Sequence, residues 1–130
     1  MIVLDASAIL ELLLGTPAGL EVGARLADPA MALHVPHLID LEVAQVLRRY
    51  VRDAQLTEKD AVNALQDLRD LDLTRHAHEP LLGRVWALRQ NFSVYDAVYV
   101  ALSEVLDASL VTCDRRLAHA PGMKKRAILI

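Results

Sequence analysis

Two aspartates of the sequence stand just behind short apolar runs. Asp5 directly follows Ile2–Leu4, and Asp114 comes two residues after Ser109–Thr112. Consecutive aliphatic and β-branched residues indicate strands that are covered on both faces, as in a parallel sheet. The carboxyl ends of parallel strands meet at one edge of the sheet, where ligands usually bind. We therefore expect the side chains of Asp5 and Asp114 to point into the same crevice.

Two further carboxylates are expected at the same edge. Asp96 lies in the first turn of a helix that begins after Ser93 and is apolar on nearly every side. Glu42 lies early in the helix that follows the second predicted strand, and Asp40 is close to it. On a helical wheel Asp40 is nearer than Glu42 to the apolar face of this helix, so the spacing alone leaves both residues as candidates.

The chemistry expected of such a group is the binding of a divalent cation. Carboxylates gathered in a partly buried crevice repel one another, and they stay ionised together only when a cation joins them. Mg²⁺ and Mn²⁺ prefer oxygen ligands and are usually held by a few carboxylates, with water and phosphate as the remaining ligands. Ser7 and Thr112 add hydroxyl groups beside two of the carboxylates. The sequence therefore predicts a metal-dependent site that acts on phosphodiester bonds.

Each of these carboxylates also has a purely structural explanation. Asp5 and Asp114 are well placed to cap the helices that follow them. Asp96 fits a capping box with Ser93, and Glu42 fits a solvated charge that suits the helix dipole. Four such coincidences at one edge of one sheet are less expected than a common site.

Composition limits the class of protein. The chain has 130 residues, a net charge of −3, 54% apolar residues and a single cysteine. These values predict one compact domain spanning residues 1–130, without disulfides, in a reducing cytoplasm. No apolar run approaches the roughly 18 to 20 residues that cross a bilayer. The negative net charge argues against a protein that coats nucleic acid through a uniformly positive surface.

Strand and helix patterns alternate along the chain. Strands are predicted at Ile2–Leu4, Ala32–Val35, Leu71–Thr74, Ser109–Thr112 and Ala127–Ile130. Helices are predicted at 8–14, 17–27, from His37, from Thr57 to Arg69, at 76–90, from Ser93 and, briefly, from Arg115. Strands separated by helices imply right-handed crossovers, so the expected fold is α/β, a three-layer α/β/α sandwich with a parallel sheet of about five strands.

The motifs together resemble a known family. They are Ile2–Ser7 at the start, Pro36 followed by Glu42-Val43 in a helix, Ser93–Leu102, and Val111–Leu117. In this order, and over the whole chain, they look like the PIN-domain family, and in particular the VapC-type toxins of prokaryotic toxin-antitoxin pairs.

The resemblance implies a function and assigns the residues. By similarity the acidic quartet consists of Asp5, Glu42, Asp96 and Asp114, with Ser7 and Thr112 as accessory hydroxyls. This assignment favours Glu42 over Asp40. The family pattern implies an endoribonuclease that depends on Mg²⁺ or Mn²⁺, forms a homodimer and is inhibited by a small DNA-binding antitoxin.

Contacts with RNA outside the quartet are predicted at Arg115 and Arg116, beside the site. None of the five histidines has the spacing of a metal ligand set. With 4% aromatic residues, extensive base stacking is not expected. Two alternatives stay open: a PIN-like module that binds RNA or protein without catalysis, and, less well supported, a phosphate-accepting receiver domain, which requires a lysine beyond its last strand.

A surface for another chain is also expected. Apolar residues of the helix around 57–71, and Leu20, Val22 and Leu26 of the second helix, exceed what a five-stranded sheet can cover. We expect them to be buried against a second copy or an antitoxin segment.

Overall fold

A five-stranded parallel sheet forms the centre of the computed structural model, which describes all 130 residues. The strands are β1 (Ile2–Leu4), β2 (Leu33–Pro36), β3 (Leu73–His76), β4 (Ser109–Thr112) and β5 (Ala127–Leu129). Their order is β3-β2-β1-β4-β5, so the first strand of the chain is the central one. It pairs with β2 on one side and β4 on the other.

Seven α-helices surround the sheet. They are α1 (Ala6–Leu14), α2 (Pro17–Arg25), α3 (Ile39–Arg52), α4 (Glu58–Asp70), α5 (Leu82–Ala87), α6 (Val94–Val105) and α7 (Arg115–Ala118). Helix α1 packs against α2, α3 and α4, whereas α6 packs against α5 and the strands β1, β2 and β4. The predicted three-layer α/β/α sandwich is confirmed.

Helix α6 is the most deeply buried helix. All seven residues from 97 to 103 are buried, as its uniformly apolar sequence predicts. Its N-cap is Ser93, whose Oγ accepts a hydrogen bond from the backbone N of Asp96 at 3.0 Å. The cap and the burial together fix the first turn of α6 relative to the sheet.

The third strand and the helix after it differ from their predicted positions. Leu71 has an extended backbone and ends α4, so β3 begins only at Leu73. The pairing of β3 with β2 then continues to His76. His76 was predicted to begin a helix; instead it ends β3, and its Nε2 lies 2.9 Å from Nδ1 of His34 on the neighbouring strand. The long helix predicted over 76–90 is the 3₁₀ turn Glu79–Leu81 followed by α5, because Pro80 has no N–H to donate.

Helices α1 and α2 meet at a sharp corner. Gly15 ends α1 with a φ of 63°, and Thr16 caps α2 by accepting a hydrogen bond from the backbone N of Gly19 at 3.0 Å. The two helices are bent by 110° at this break. No single helix of the structure has the length and apolar character needed to cross a membrane; only α1 and α2 taken together pass that test, as a bent pair.

The packing of α2 corrects the predicted apolar surface. Val22 is fully buried and belongs to the core. Leu26 is half-buried, and only Leu20 of the three stays exposed, at 72%. The surface expected on α2 is therefore smaller than the sequence indicates, because the corner at Gly15 folds α2 back onto α1.

Gly19 permits the close approach of these two helices. A Cβ atom built at this position would lie 1.9 Å from the backbone O of Glu11. We expect Gly19→Ala to lower the free energy of unfolding by roughly 1–3 kcal/mol, since the helices must separate. Gly83→Ala in α5 is the matched control: nothing lies within 4 Å of its Cβ position, and the change should stabilise by about 0.5–1 kcal/mol. Urea unfolding of both variants measures these effects, and equal stabilities would contradict the packing.

Candidate active site

Asp5 is a buried carboxylate at the carboxyl end of the central strand. Only 5% of its surface is exposed. Its Oδ1 accepts hydrogen bonds from the Ala8 backbone N at 2.9 Å and from Ser7 Oγ at 2.7 Å, and its Oδ2 accepts one from Thr112 Oγ1 at 2.5 Å. Burial raises the pKa of Asp5 although these hydrogen bonds act to lower it, and the nearby charge of Asp114 raises it further.

The two hydroxyl groups connect the ends of β1 and β4. Ser7 Oγ lies 3.3 Å from Thr112 Oγ1 and accepts a hydrogen bond from the backbone N of Cys113 at 2.8 Å. Thr112 Oγ1 accepts a hydrogen bond from the backbone N of Asp114 at 2.9 Å. The segment that carries Asp114 is therefore held in position by the same hydroxyls that contact Asp5.

Glu42 approaches the crevice from α3. It is half-buried, and its Oε2 accepts a hydrogen bond from the phenol of Tyr99. Loss of solvent raises the pKa of Glu42 against the opposing effect of this hydrogen bond, and the negative charges of Asp96 and Asp5 raise it further. Glu42 is thus electrostatically coupled to both carboxylates.

Tyr99 is the site residue that sequence reasoning missed. Its ring is 2% exposed, and its pKa is strongly raised by burial and by the adjacent Glu42, so the phenol keeps its proton. A buried tyrosine needs a partner for its hydroxyl. Tyr99 follows Asp96 by one helical turn, and this spacing is the signal that places both on one side of α6.

Asp96 and Asp114 lie at the outer part of the crevice. Both are half-buried. The backbone N of Asp96 is bound by the Ser93 cap, and its carboxylate charge raises the pKa values of Glu42 and Tyr99. Asp114 Oδ1 accepts a hydrogen bond from the backbone N of Arg116 at 2.7 Å and so caps α7.

The capping explanation holds for two of the four carboxylates, and it is compatible with a common site. Asp5 caps α1 and Asp114 caps α7, as the structural alternatives predicted. The charges of the four residues nevertheless affect one another. Asp114 raises the pKa of Asp5, and Asp96 and Asp5 raise the pKa of Glu42. Hydrogen bonds through Ser7 and Thr112 join Asp5 to the segment of Asp114, while Glu42 and Asp96 belong to α3 and α6 and influence the cluster through their charge.

The donor atoms fit a hard cation in their chemistry. The crevice offers carboxylate and hydroxyl oxygens, the ligand type that Mg²⁺ and Mn²⁺ prefer. No three His, Cys, Asp or Glu side chains are grouped in this structure so that they could hold a metal ion. The Asp5 and Asp114 oxygens act as hydrogen-bond acceptors in the structure, so a role as ligands remains a prediction.

Asp40 belongs to a different part of the molecule. Its carboxylate forms a two-oxygen ion pair with Arg75, with Nη2 and Oδ1 3.0 Å apart. Arg75 also donates to the backbone O of Leu68 at 3.3 Å, so the pair joins α3, β3 and α4. The competing candidate for Glu42 therefore has a structural partner, and Glu42 is the residue of α3 that is coupled to the crevice.

The remaining predicted residues lie near the site. Arg115 and Arg116 are exposed in the first turn of α7, and Arg116 lines a cavity of about 440 Å³ together with Asp96. Cys113 is half-buried, and burial raises the pKa of its thiol to about 11. A thiol that keeps its proton is a poor nucleophile, which agrees with a site based on carboxylates.

Comparison with known proteins identifies the family. Residues 2–123 match the family described as PIN domain. The chain is 47% identical over 118 residues to ribonuclease VapC9 of Mycobacterium tuberculosis, covering 91% of this chain and 89% of the relative. It is 42% identical over 122 residues to ribonuclease VapC1 of the same species, covering 93% and 91%.

Solved structures share the fold. The structure of Mycobacterium tuberculosis VapC20, a toxin that cleaves the sarcin-ricin loop, matches with a TM-score of 0.68 at 14% identity, over 91% of this chain and 93% of that one. A toxin-antitoxin complex from Klebsiella pneumoniae matches with a TM-score of 0.67 at 19% identity, over 98% and 96%. The resemblance seen in the sequence motifs is confirmed: the chain belongs to the PIN-domain family, among its VapC-type members.

Proposed function

We propose that this chain is an endoribonuclease, the toxin of a toxin-antitoxin pair, and that its activity depends on Mg²⁺ or Mn²⁺. The cation ligands would be Asp5, Glu42, Asp96 and Asp114. The observation that carries the proposal is the hydrogen-bonded arrangement at the ends of β1 and β4, in which Ser7 and Thr112 hold Asp5 and the segment of Asp114 at one edge of the sheet. The identity to VapC ribonucleases supports the same activity.

The residues of the chain have distinct roles in this proposal. A divalent cation, when bound, supplies positive charge toward the scissile phosphate and lowers the pKa of water. Tyr99 keeps its proton and donates a hydrogen bond to Glu42 Oε2, which fixes the orientation of that carboxylate. Ser7 and Thr112 hold Asp5 through its two oxygens. None of these roles requires a serine, cysteine or histidine nucleophile.

Partners follow from the same proposal. The structural neighbours include toxin-antitoxin complexes, among them VapBC2 of Rickettsia felis bound to promoter DNA. We propose a small DNA-binding antitoxin as partner, a homodimer as the free state and the cytoplasm as the location. Exposed Leu20 and Val62 are available for such contacts.

The alternative is a PIN-like module that binds without catalysis. All four carboxylate positions are occupied by acidic residues, which favours the enzyme. The receiver-domain alternative is excluded by family membership. Measurements of RNA cleavage and of metal binding distinguish the enzyme from the module that binds without catalysis.

Replacing Glu42 tests the choice of the carboxylate on α3. Glu42→Gln keeps the acceptor for Tyr99 but removes the charge, so RNA cleavage with Mn²⁺ should fall by roughly hundredfold or more. Asp40→Asn is the matched control on the same helix and should stay within about threefold, because its partner is Arg75. Cleavage is followed on total RNA by gel electrophoresis, and an equal loss in both variants would refute the assignment.

Metal binding gives a readout that is independent of cleavage. Calorimetry at neutral pH should detect Mn²⁺ binding to the wild type and none to Asp96→Asn, since the cation requires the charge. The backbone N that Ser93 caps is unchanged in this variant, so circular dichroism should match the wild type. Undiminished Mn²⁺ binding by Asp96→Asn would remove this residue from the site.

Stability should depend on pH through the raised carboxyl pKa values. Asp5 and Glu42 bind protons more tightly in the folded chain than in the unfolded chain. The free energy of unfolding should therefore fall as the pH rises from the ordinary carboxyl pKa through the raised values. In Glu42→Gln this fall should be smaller, and Tm at neutral pH higher. Thermal unfolding in EDTA measures both, and an identical profile for variant and wild type would contradict the raised pKa.

A further inference from the structure

An apolar groove opens directly beside Glu42. It has a volume of about 500 Å³ and lies between α1, α3 and the first turn of α6. Besides Ala6 of α1, the residues that form it are Leu38, Leu41, Glu42, Gln45, Val46 and Tyr95. Leu41 is 72% exposed and Tyr95 61% exposed, although the cores of both helices are buried. The groove is therefore continuous with the crevice, because Glu42 belongs to both.

The groove has the chemistry of a nucleobase site. A base is a flat apolar ring with hydrogen-bonding groups along its edge. Tyr95 offers an exposed aromatic ring for stacking, and the leucines offer aliphatic walls. Gln45 is exposed within the groove and carries both donors and an acceptor, as recognition of a base edge requires.

A positive charge follows the groove along α3. Glu42, Gln45 and Arg49 are spaced at i, i+3 and i+7, so they lie on one side of the helix. Arg49 has no carboxylate partner; its guanidinium lies 5.6 Å from the ring centre of Tyr50, whereas Arg52 is paired with Asp53 at 2.8 Å. Arg49 is thus available to a phosphate one helical turn beyond Gln45.

We propose that this groove binds the nucleobase next to the scissile phosphodiester of a single-stranded RNA. Tyr95 stacks on the base, Gln45 hydrogen-bonds its edge, and Arg49 contacts the adjoining phosphate. The inference rests on the proposed ribonuclease function and adds to it the residues that select the cleavage sequence. An apolar peptide or a second copy of the chain would also cover Leu41 and Tyr95, whereas the row formed by Glu42, Gln45 and Arg49 favours a ligand that carries both a base edge and a phosphate.

Binding of RNA to a variant that does not cut it tests the groove separately from catalysis. The parent is Asp96→Asn, and the probes are fluorescein-labelled octaribonucleotides of a single base, one for each of the four bases. Anisotropy should show that Tyr95→Ala weakens binding by roughly tenfold, while Tyr95→Phe, which keeps the ring, stays within about twofold. Gln45→Ala should reduce the difference in affinity between the four probes, and Gln66→Ala on the exposed side of α4 should leave it unchanged.

The charge is tested by a matched pair of arginines. Arg49→Ala should make the salt dependence of log K shallower by about 0.7, the value for one contact to a single strand. Arg69→Ala removes the same charge from α4, beside Asp40 and away from the groove, and should keep the parent slope. Equal effects of the two arginines would overturn the proposed path of the strand.

Other outcomes would overturn the assignment of the groove and leave the proposed enzymatic function unaffected. If the parent binds no RNA, or if Tyr95→Ala binds as the parent does, the groove is not a base site. If Tyr95→Ala instead changes the mass measured by light scattering, or only abolishes inhibition by an antitoxin, the surface belongs to a second copy or to that partner. Cleavage of RNA by the wild type, measured alongside, decides the proposed function by itself.

Discussion

A carboxylate buried at the end of the central strand is the constraint on which the rest of this molecule depends. Asp5 is almost completely shielded from solvent, so its two carboxylate oxygens need hydrogen-bond donors from the protein. Those donors come from α1 and from the end of β4, more than a hundred residues away in the chain. Satisfying one buried side chain therefore fixes β1, α1 and β4 relative to one another, and with them the position of Asp114.

The same arrangement of acidic groups, which the proposed chemistry requires, lowers the stability of the fold. Glu42 and Asp5 are held where loss of solvent and neighbouring charge disfavour their ionised forms. A core of 29 buried residues, continuous around the sheet, supports this unfavourable cluster. Two of the acidic residues have a local structural use as well, since Asp5 caps α1 and Asp114 caps α7. A helix cap and a metal ligand require the same atom type, which is why the two explanations were difficult to separate from sequence.

Much of the fold was predictable because its elements carry local signals. Apolar strands, the cap at Ser93 and the uniformly apolar α6 all occur as expected. The start of β3 was not predictable, because the alternating apolar and polar residues of 71–74 are compatible both with the end of a helix and with a strand. Only the pairing with β2 decides between the two. Tyr99 and the Asp40–Arg75 pair were missed for a related reason: each depends on a partner from a distant segment.

The central position of β1 has a consequence for synthesis. Strand β1 is synthesised long before its partner β4, so this pairing cannot form before Ser109–Thr112 have left the ribosome. Pairing across such a sequence separation slows folding, because the loop must close before the contact stabilises it. Until then one edge of β1 stays open and Asp114 is absent from the crevice. A growing chain that has not yet released β4 therefore cannot hold Asp5 and Asp114 at one edge of the sheet, so the proposed site assembles only after residues 109–114 have left the ribosome.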